Sequence, residues 1–353
     1  MRMKTKMLFK VLTVPLLLCL ASGTWTTPKV WAESKFFKSK TIRIVVGFTP
    51  GGFYDRWARL LARHMGKYIP GKPDIVVQNM PGAGSRIAAN YLYNIARPDG
   101  LTIATINKNL FFDQMVGTKE VRYDWSKYNW IGTPEQPPDV LYMRSDGPYK
   151  TIDDIKNASK PPKCGSTGRA NSGYLIPKLL EETMGIKFKM VLGYRGGRQI
   201  DLAVERGEVV CRAQSITPHF GREPFLTWHK KGFDWHVLQT GKKPWARAPE
   251  IPSIFDLAKK YRVSERDRKF ITLAGATNFG KPYAAPPGVP RDRVLILRKA
   301  FKAALSDPKA LSEAKKLRMK VEMLSGKQVQ TMAKEVFSMP PDAVGRLKKL
   351  IGQ

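Results

Sequence analysis

The sequence predicts an α/β protein made of two lobes with mainly parallel sheets. Two observations predict it. Short β-like apolar runs alternate along the chain with segments of helical periodicity. Two of those runs enter glycine-rich turns that open directly into amphipathic helices, one around Gly51 and one around Gly165. Each such turn leaves backbone N–H groups free at a helix N-terminus, where the helix dipole also favours negative charge. Two of them in one chain suggest two lobes gripping a single anionic ligand.

The first residues stand apart from the fold. Arg2, Lys4, Lys6 and Lys10 form a positive head, and Val11 to Ala21 an apolar core. That core is shorter than the ~20 residues of a bilayer span. Val30-Trp31-Ala32 offers a cleavage site before Glu33, so residues 1–32 are expected to be a secretory signal peptide cleaved near Ala32. Cys19 follows Leu18 rather than the small residue a lipoprotein signal would have. No other segment is long and apolar enough to span a membrane.

The first predicted strand, Ile42 to Val46, runs through Gly47-Phe48-Thr49-Pro50-Gly51-Gly52-Phe53-Tyr54-Asp55 into a helix reaching about Tyr68. Trp57, Leu60, Leu61, His64 and Met65 share one face of that helix. Ile75-Val76-Val77 is the next strand and leads through Pro81-Gly82-Ala83-Gly84-Ser85 to a helix ending near Tyr93. Arg97-Pro98-Asp99-Gly100 is a turn before the strand Leu101 to Ile106. Strands at Trp130 to Gly132 and Val140 to Met143 carry the chain across to the second lobe.

There Lys163-Cys164-Gly165 enters the second turn, Ser166-Thr167-Gly168-Arg169-Ala170-Asn171, and a helix follows to about Met184. Pro177 is expected within or near its first turn, where proline is tolerated. A strand from Lys189 to Tyr194, a helix from Ile200 to Glu205 and a strand from Val209 to Ala213 complete the pattern. His236 to Gln239 leads back toward the first lobe. A helix opens at Ser253, and Asp307-Pro308 starts another, with Asp as N-cap and Pro at the first position. Residues 33–138 with 246–353 are thus expected to form lobe 1, and 139–245 lobe 2.

The chain carries 61 Lys and Arg against 29 Asp and Glu, a formal charge of +32. Such a surface draws anionic partners. The basic residues are scattered without a basic arm, and export argues against nucleic acid. Cys164 and Cys211 remain after cleavage. In an exported chain they can pair, or they can stand as two small buried thiols.

Catalytic chemistry is poorly supplied. Gly82 to Ile87 fails the dinucleotide fingerprint at its last position and lacks the later acid. Gly165-Ser166-Thr167-Gly168 is not a nucleophile elbow, and no P-loop is present. The four histidines, His64, His219, His229 and His236, show no metal-ligand spacing, and no C-x-x-C exists. His64 is expected to be a packing residue on its helix face. Trp57, Trp125, Trp130 and Trp235 are expected in the core. Asp55 is expected to hold the first glycine loop by accepting backbone N–H bonds.

Six segments, in order, resemble one known family. Pro50-Gly51-Gly52-Phe53-Tyr54-Asp55 is close to its P-G-G-x-x-D, and Gln78-Asn79-Met80-Pro81-Gly82-Ala83-Gly84 to its E-N-R-P-G-A-G. Pro98-Asp99-Gly100, Tyr194-Arg195-Gly196, Pro249-Glu250-Ile251-Pro252-Ser253 and Ala285-Pro286-Pro287-Gly288-Val289-Pro290 match P-D-G, Y-K-G, P-x-V-P-T and A-P-x-G-T-P. The chain therefore resembles the periplasmic solute receptors of tripartite tricarboxylate transporters, the Bug or TctC-like family. The resemblance implies a type II periplasmic-binding-protein fold and a carboxylate held between the two strand–turn–helix units, partly through ordered water. Carried over by position, the ligand-binding residues are Gly51, Gly52, Phe53, Tyr54, Asp55, Gly165, Ser166, Thr167, Gly168 and Tyr194. Phe53 departs from a small residue, Arg195 keeps the cation of the usual lysine, and Val210 and Cys211 stand where an acid is usual.

The expected function is an exported receptor that is not an enzyme. It would capture a small organic acid, aliphatic or aromatic, and deliver it to the membrane subunits of a tripartite transporter. No nucleic acid, no metal and no cofactor are expected, and the chain is expected to act as a monomer in the periplasm. The alternatives are a sensing receptor for a membrane kinase and, with less support from the residues, an exported hydrolase.

Overall fold

The computed structural model describes residues 36–352, apart from Lys242 and Thr277. The expected signal peptide and its cleavage site at Ala32 lie outside the described residues. No described helix is long and apolar enough to cross a membrane.

In chain order the strands are β1 (Thr41–Val46), β2 (Asp74–Asn79), β3 (Thr102–Thr105), β4 (Asn129–Thr133), β5 (Asp139–Arg144) and β6 (Lys163–Gly165). They continue as β7 (Lys189–Val191), β8 (Cys211–Ser215), β9 (Asp234–Gln239), β10 (Tyr283–Ala285) and β11 (Leu324–Ser325). The helices that matter below are α1 (Phe53–Met65), α2 (Ser172–Met184), α3 (Gly197–Glu205), α4 (Ile216–His219), α5 (Phe225–Lys231), α6 (Glu265–Ala276), α7 (Arg291–Ser306) and α8 (Pro341–Ile351).

Two sheets result, in the orders β11-β4-β10-β3-β1-β2 and β7-β6-β8-β5-β9. The chain passes from the first to the second between β4 and β5, and returns between β9 and β10. Pairings of β1 with β2 and β3, and of β6 with β7 and β8, are parallel. Those that involve β4, β5, β9, β10 and β11 are antiparallel, so the sheets are mixed rather than mainly parallel. Parallel pairing needs a helical return to the same sheet. The crossing strands β5 and β10 arrive from the other sheet and insert reversed.

The first sheet is closed by α1 and α7. Ile42, Ile44 and Val46 of β1 pack with Trp57, Leu61 and Met65 of α1 and with Leu297 and Phe301 of α7. Each such side chain contributes about 1.5–3 kcal/mol by leaving water. Trp125 and Trp130 are also fully buried, and Trp235 partly. His64 is not simply packed: its Nε2 lies 2.7 Å from Glu313 Oε2.

On the second sheet α2 buries Leu175, Leu179 and Leu180. Helices α6 and α8 pack against α2 from the C-terminal part of the chain. Arg346 of α8 donates to Asp267 Oδ1 at 2.6 Å and to Glu182 Oε1 at 3.3 Å. Pro177 is the sixth residue of α2, just beyond its first turn. Strand β7 stops at Val191, which leaves Tyr194 in a loop. The helix caps match the sequence: Asp307 accepts from Lys309 N and Ala310 N, and Ser253 forms a capping box with Asp256. Cys164 and Cys211 form a disulfide between β6 and β8, with Cα atoms 4.5 Å apart.

Candidate functional site

Between the two sheets lies a cavity of ≈ 90 Å³, lined by loops from both. The first loop follows β1. Gly51 has φ +78°, a left-handed turn that a side chain would strain, and a Cβ there would also collide with Arg198 of α3. Asp55 is buried and accepts from Gly51 N at 2.8 Å, from Arg59 Nε at 2.9 Å and from Asn79 Nδ2 at 3.0 Å. These bonds hold the glycine turn in place. Burial alone would raise the Asp55 carboxyl, but the bonds from Arg59, Gly51 and Asn79 outweigh it and hold its pKa below the usual value.

Helix α1 begins just past that turn, and its first intrahelical bond is Arg56 N to Gly52 O. The N–H groups of Phe53 and Tyr54 precede that bond and stand at the positive end of the helix. Gly52, Phe53 and Tyr54 line the cavity. The Tyr54 hydroxyl donates to Gly280 O at 3.4 Å and accepts from Lys108 N at 3.3 Å. Burial pushes its phenol well above the usual pKa.

The second loop follows β6. Ser166 is fully buried, and its hydroxyl donates to Gly168 O at 3.0 Å, which shapes the turn. Thr167 lines the cavity and is 7% exposed, yet its Oγ1 finds no hydrogen-bond partner in the protein. Asn171 caps α2 by accepting from Gly173 N at 3.0 Å. Ser172 donates to Asp139 Oδ2 at 2.8 Å. Asn171 and Ser172 also line the cavity.

Four cations line the walls: Lys108, Arg212, Arg222 and Lys281. Lys108 Nζ reaches Asp139 at 2.8 Å. Lys281 is buried against Glu135, and its ammonium lies 5.2 Å from the Phe53 ring centre. Burial pushes the Lys281 ammonium below its usual pKa against the pull of Glu135. Arg212 and Arg222 share a single carboxylate, Asp201. Two guanidiniums on one acid leave a net positive wall. Arg222 Nε, buried, has no partner in the protein. Just outside, burial and the nearby charges of Arg222 and Arg198 lower the pKa of Arg56. The field across the cleft is positive, and unused donors accompany it.

The loops of the two sheets approach at glycines. A Cβ on Gly168 would sit 3.4 Å from Gly84 Cα, and one on Gly196 would collide with Thr49. A Cβ on Gly221 would lie 3.4 Å from the Phe53 ring. Asn107 Nδ2 bridges the loops by donating to Gly84 O at 3.2 Å and Ala170 O at 2.8 Å.

The residues named from the sequence thus fall into three groups. Gly52, Phe53, Tyr54 and Thr167 line the cavity. Gly51, Asp55, Ser166 and Gly168 shape its loops. Gly165 and Tyr194 lie elsewhere: a Cβ on Gly165 would collide with Ile200 at 2.6 Å, and Tyr194 lines a separate surface depression with Leu192 and Arg195. The sequence reading did not name Lys108, Arg212, Gln214, Arg222 or Lys281. One signal for Arg212 and Gln214 was present: alternate polar residues on a strand that the pattern placed inside a sheet. The histidines show no ligand spacing in sequence, yet His219, His229 and His236 converge with Asp234 in space. They come from three separate elements, which linear spacing does not reveal.

Comparison with known proteins completes the picture. A protein from Cupriavidus necator described as a UPF0065 protein in the gbd 5' region is 28% identical over 322 residues, covering 90% of each chain. The solved structure of the periplasmic binding protein BugD superposes with a TM-score of 0.69 at 20% identity, over 88% of this chain and 97% of that one. MatC from Rhodopseudomonas palustris, solved with bound malate, superposes with a TM-score of 0.65 at 20% identity, over 88% and 99%. These likenesses share the two-sheet α/β fold of periplasmic binding proteins. The model of the tripartite tricarboxylate transporter family receptor, TctC, matches residues 57–340, and the chain belongs to that family.

Proposed function

We propose that this solute-binding receptor captures a small carboxylate in the cleft and delivers it to the membrane subunits of a tripartite transporter. The observation that carries the reading is the positive cavity wall with donors left unused, Thr167 Oγ1 and Arg222 Nε above all. A carboxylate supplies both the charge and the acceptors that this wall lacks. The free N–H groups at the start of α1 add to it. The malate bound to MatC, which has the same fold, supports an aliphatic diacid as the first class to test.

The proposal includes export with cleavage near Ala32, action as a monomer, and binding without reaction. It also includes closure of the lobes by a hinge at the two chain crossings. Among the described residues, lobe 1 would take residues 36–138 and most of 246–352, and α6 and α8, which pack on α2, would move with lobe 2. Thermal unfolding against mono-, di- and tricarboxylates, aromatic acids and amino acids tests the reading. A rise of several degrees with carboxylates, and recovery of the acid unchanged, is expected. No shift with any acid removes the carboxylate assignment.

A further inference from the structure

Beside the cavity, on the far side of α4, three imidazoles and a carboxylate aim their ligand atoms at one point. His219 closes α4, His229 lies in α5, and Asp234 and His236 sit two apart on β9, on the same strand face. His219 Nε2 is 2.8 Å from His236 Nε2, 3.2 Å from His229 Nε2 and 2.9 Å from Asp234 Oδ2. Asp234 Oδ2 is 3.4 Å from His229 Nε2 and 3.8 Å from His236 Nε2. All four ligand atoms lie within 4.8 Å of one another.

A cluster of packed histidines explains this poorly. The Asp234 side chain is fully buried; its Oδ1 has no hydrogen-bond partner in the protein, and its Oδ2 has only the imidazoles of His219 and His229 beside it, at 2.9 and 3.4 Å. A desolvated carboxylate in that state is costly. Three Nε2 atoms also face one another and this carboxylate across one small space, with all four ligand atoms within 4.8 Å. A cation at their centre would offset that cost.

We propose that His219, His229, Asp234 and His236 form a binding site for a divalent transition-metal ion of the zinc class. The chemistry of the donors selects it. Three imidazoles and one carboxylate suit zinc and its neighbours, whereas calcium and magnesium take oxygen ligands. Metal–ligand bonds of about 2.0–2.2 Å in a tetrahedron put the ligand atoms about 3.3–3.6 Å apart. The observed separations lie on both sides of that value.

The surroundings are those of a built site. His219 stacks on Tyr142 with ring centres 4.5 Å apart, and Phe225 packs beside both rings, 4.5 Å from His219. Phe220 covers His229 and His236 at 4.9 and 5.2 Å. The Gln214 amide lies 3.3 Å from His219 Nδ1, the outer contact that orients a ligating imidazole. Four protein ligands complete a tetrahedron, so the ion would be structural, clamping α4 and α5 to β9 rather than activating water.

The test uses the chain secreted by an expression host, purified without a polyhistidine tag and freed of metal by a chelator. Zinc titration by calorimetry is expected to show one ion per chain with a Kd below about 1 µM. Cobalt is expected to give the intense visible bands of four-coordinate Co²⁺. His229→Ala and His236→Ala, both at partly exposed positions, are expected to weaken zinc more than ~100-fold, beyond the cost of losing an outer contact. Circular dichroism of both variants checks that they fold. The proposal is overturned by an absence of stoichiometric zinc, by binding that survives the His229→Ala/His236→Ala double variant, or by binding that instead disappears with His64→Ala.

Discussion

Thr167→Val separates a ligand contact from a structural one. The Thr167 hydroxyl is buried in the cavity wall with no partner in the protein. A buried hydroxyl without a partner costs about 1–3 kcal/mol, and valine keeps its shape while removing that cost. The ligand-free variant should therefore be as stable as the parent or somewhat more so. Ligand binding should suffer in the opposite sense. A hydrogen bond to a charged carboxylate is worth about 1.5–3 kcal/mol, which corresponds to roughly 10–150-fold in Kd. Calorimetry with malate, succinate, citrate and adipate measures the affinity, and urea unfolding without ligand measures the stability. An affinity within two-fold of the parent for every acid that binds would refute the reasoning. So would a loss of more than about 1 kcal/mol in the ligand-free protein, because the hydroxyl would then have a structural role.

Phe53 belongs to the core as well as to the cavity, so truncation to Ala would cost about 3–5 kcal/mol, and leucine is the better probe. Phe53→Leu should raise the ratio of affinities for larger over smaller acids by about ten-fold or more, read from paired titrations; an unchanged ratio removes the ring from ligand selection. Replacing both Cys164 and Cys211 with alanine opens a loop of sequence separation 47, and the chain-entropy model puts the loss at about 4 kcal/mol. Denaturant unfolding should show that loss, and one below about 1 kcal/mol would mean that the bond constrains little. Asp55 has a pKa below the ordinary 3.8 in the folded protein. Its contribution is therefore present above that value and is lost as pH falls through the folded pKa. Relative to Asp55→Asn, the parent should lose its stability advantage in acid, and a difference that is flat from pH 7 to about pH 2 would contradict this.

What could be read from the sequence was whatever depends on neighbours in sequence. Gly51 needs a left-handed φ, Asp55 reaches back four residues to Gly51 N, and Asp307 caps the helix it precedes. Each of these is a local rule. The cationic wall is not local. Lys281 pairs with Glu135 across 146 residues, Lys108 with Asp139 across 31, and the two arginines meet Asp201 only after folding. A lone lysine in a basic chain gives no hint of such a partner. The histidine cluster was missed for the same reason. Its ligands come from α4, α5 and β9, and the metal templates used on sequences assume ligands one helical turn or one short loop apart. Tyr194 shows the converse case. A motif match carried it into the site, while in the fold it lies at a different surface.

The glycine contacts between the loops separate two quantities that cavity residues change together. A Cβ at Gly168 already touches Gly84 Cα at 3.4 Å, so the branches of a valine there must wedge between the lobes. Such a wedge touches no ligand atom. It lowers the fraction of molecules able to close, and apparent affinity falls by that fraction for every ligand alike. A change at Thr167 or Phe53 instead reorders ligands against one another. Family members could therefore differ in working concentration range through their glycine contacts while keeping one preference order, and could change preference through the cavity wall without altering closure.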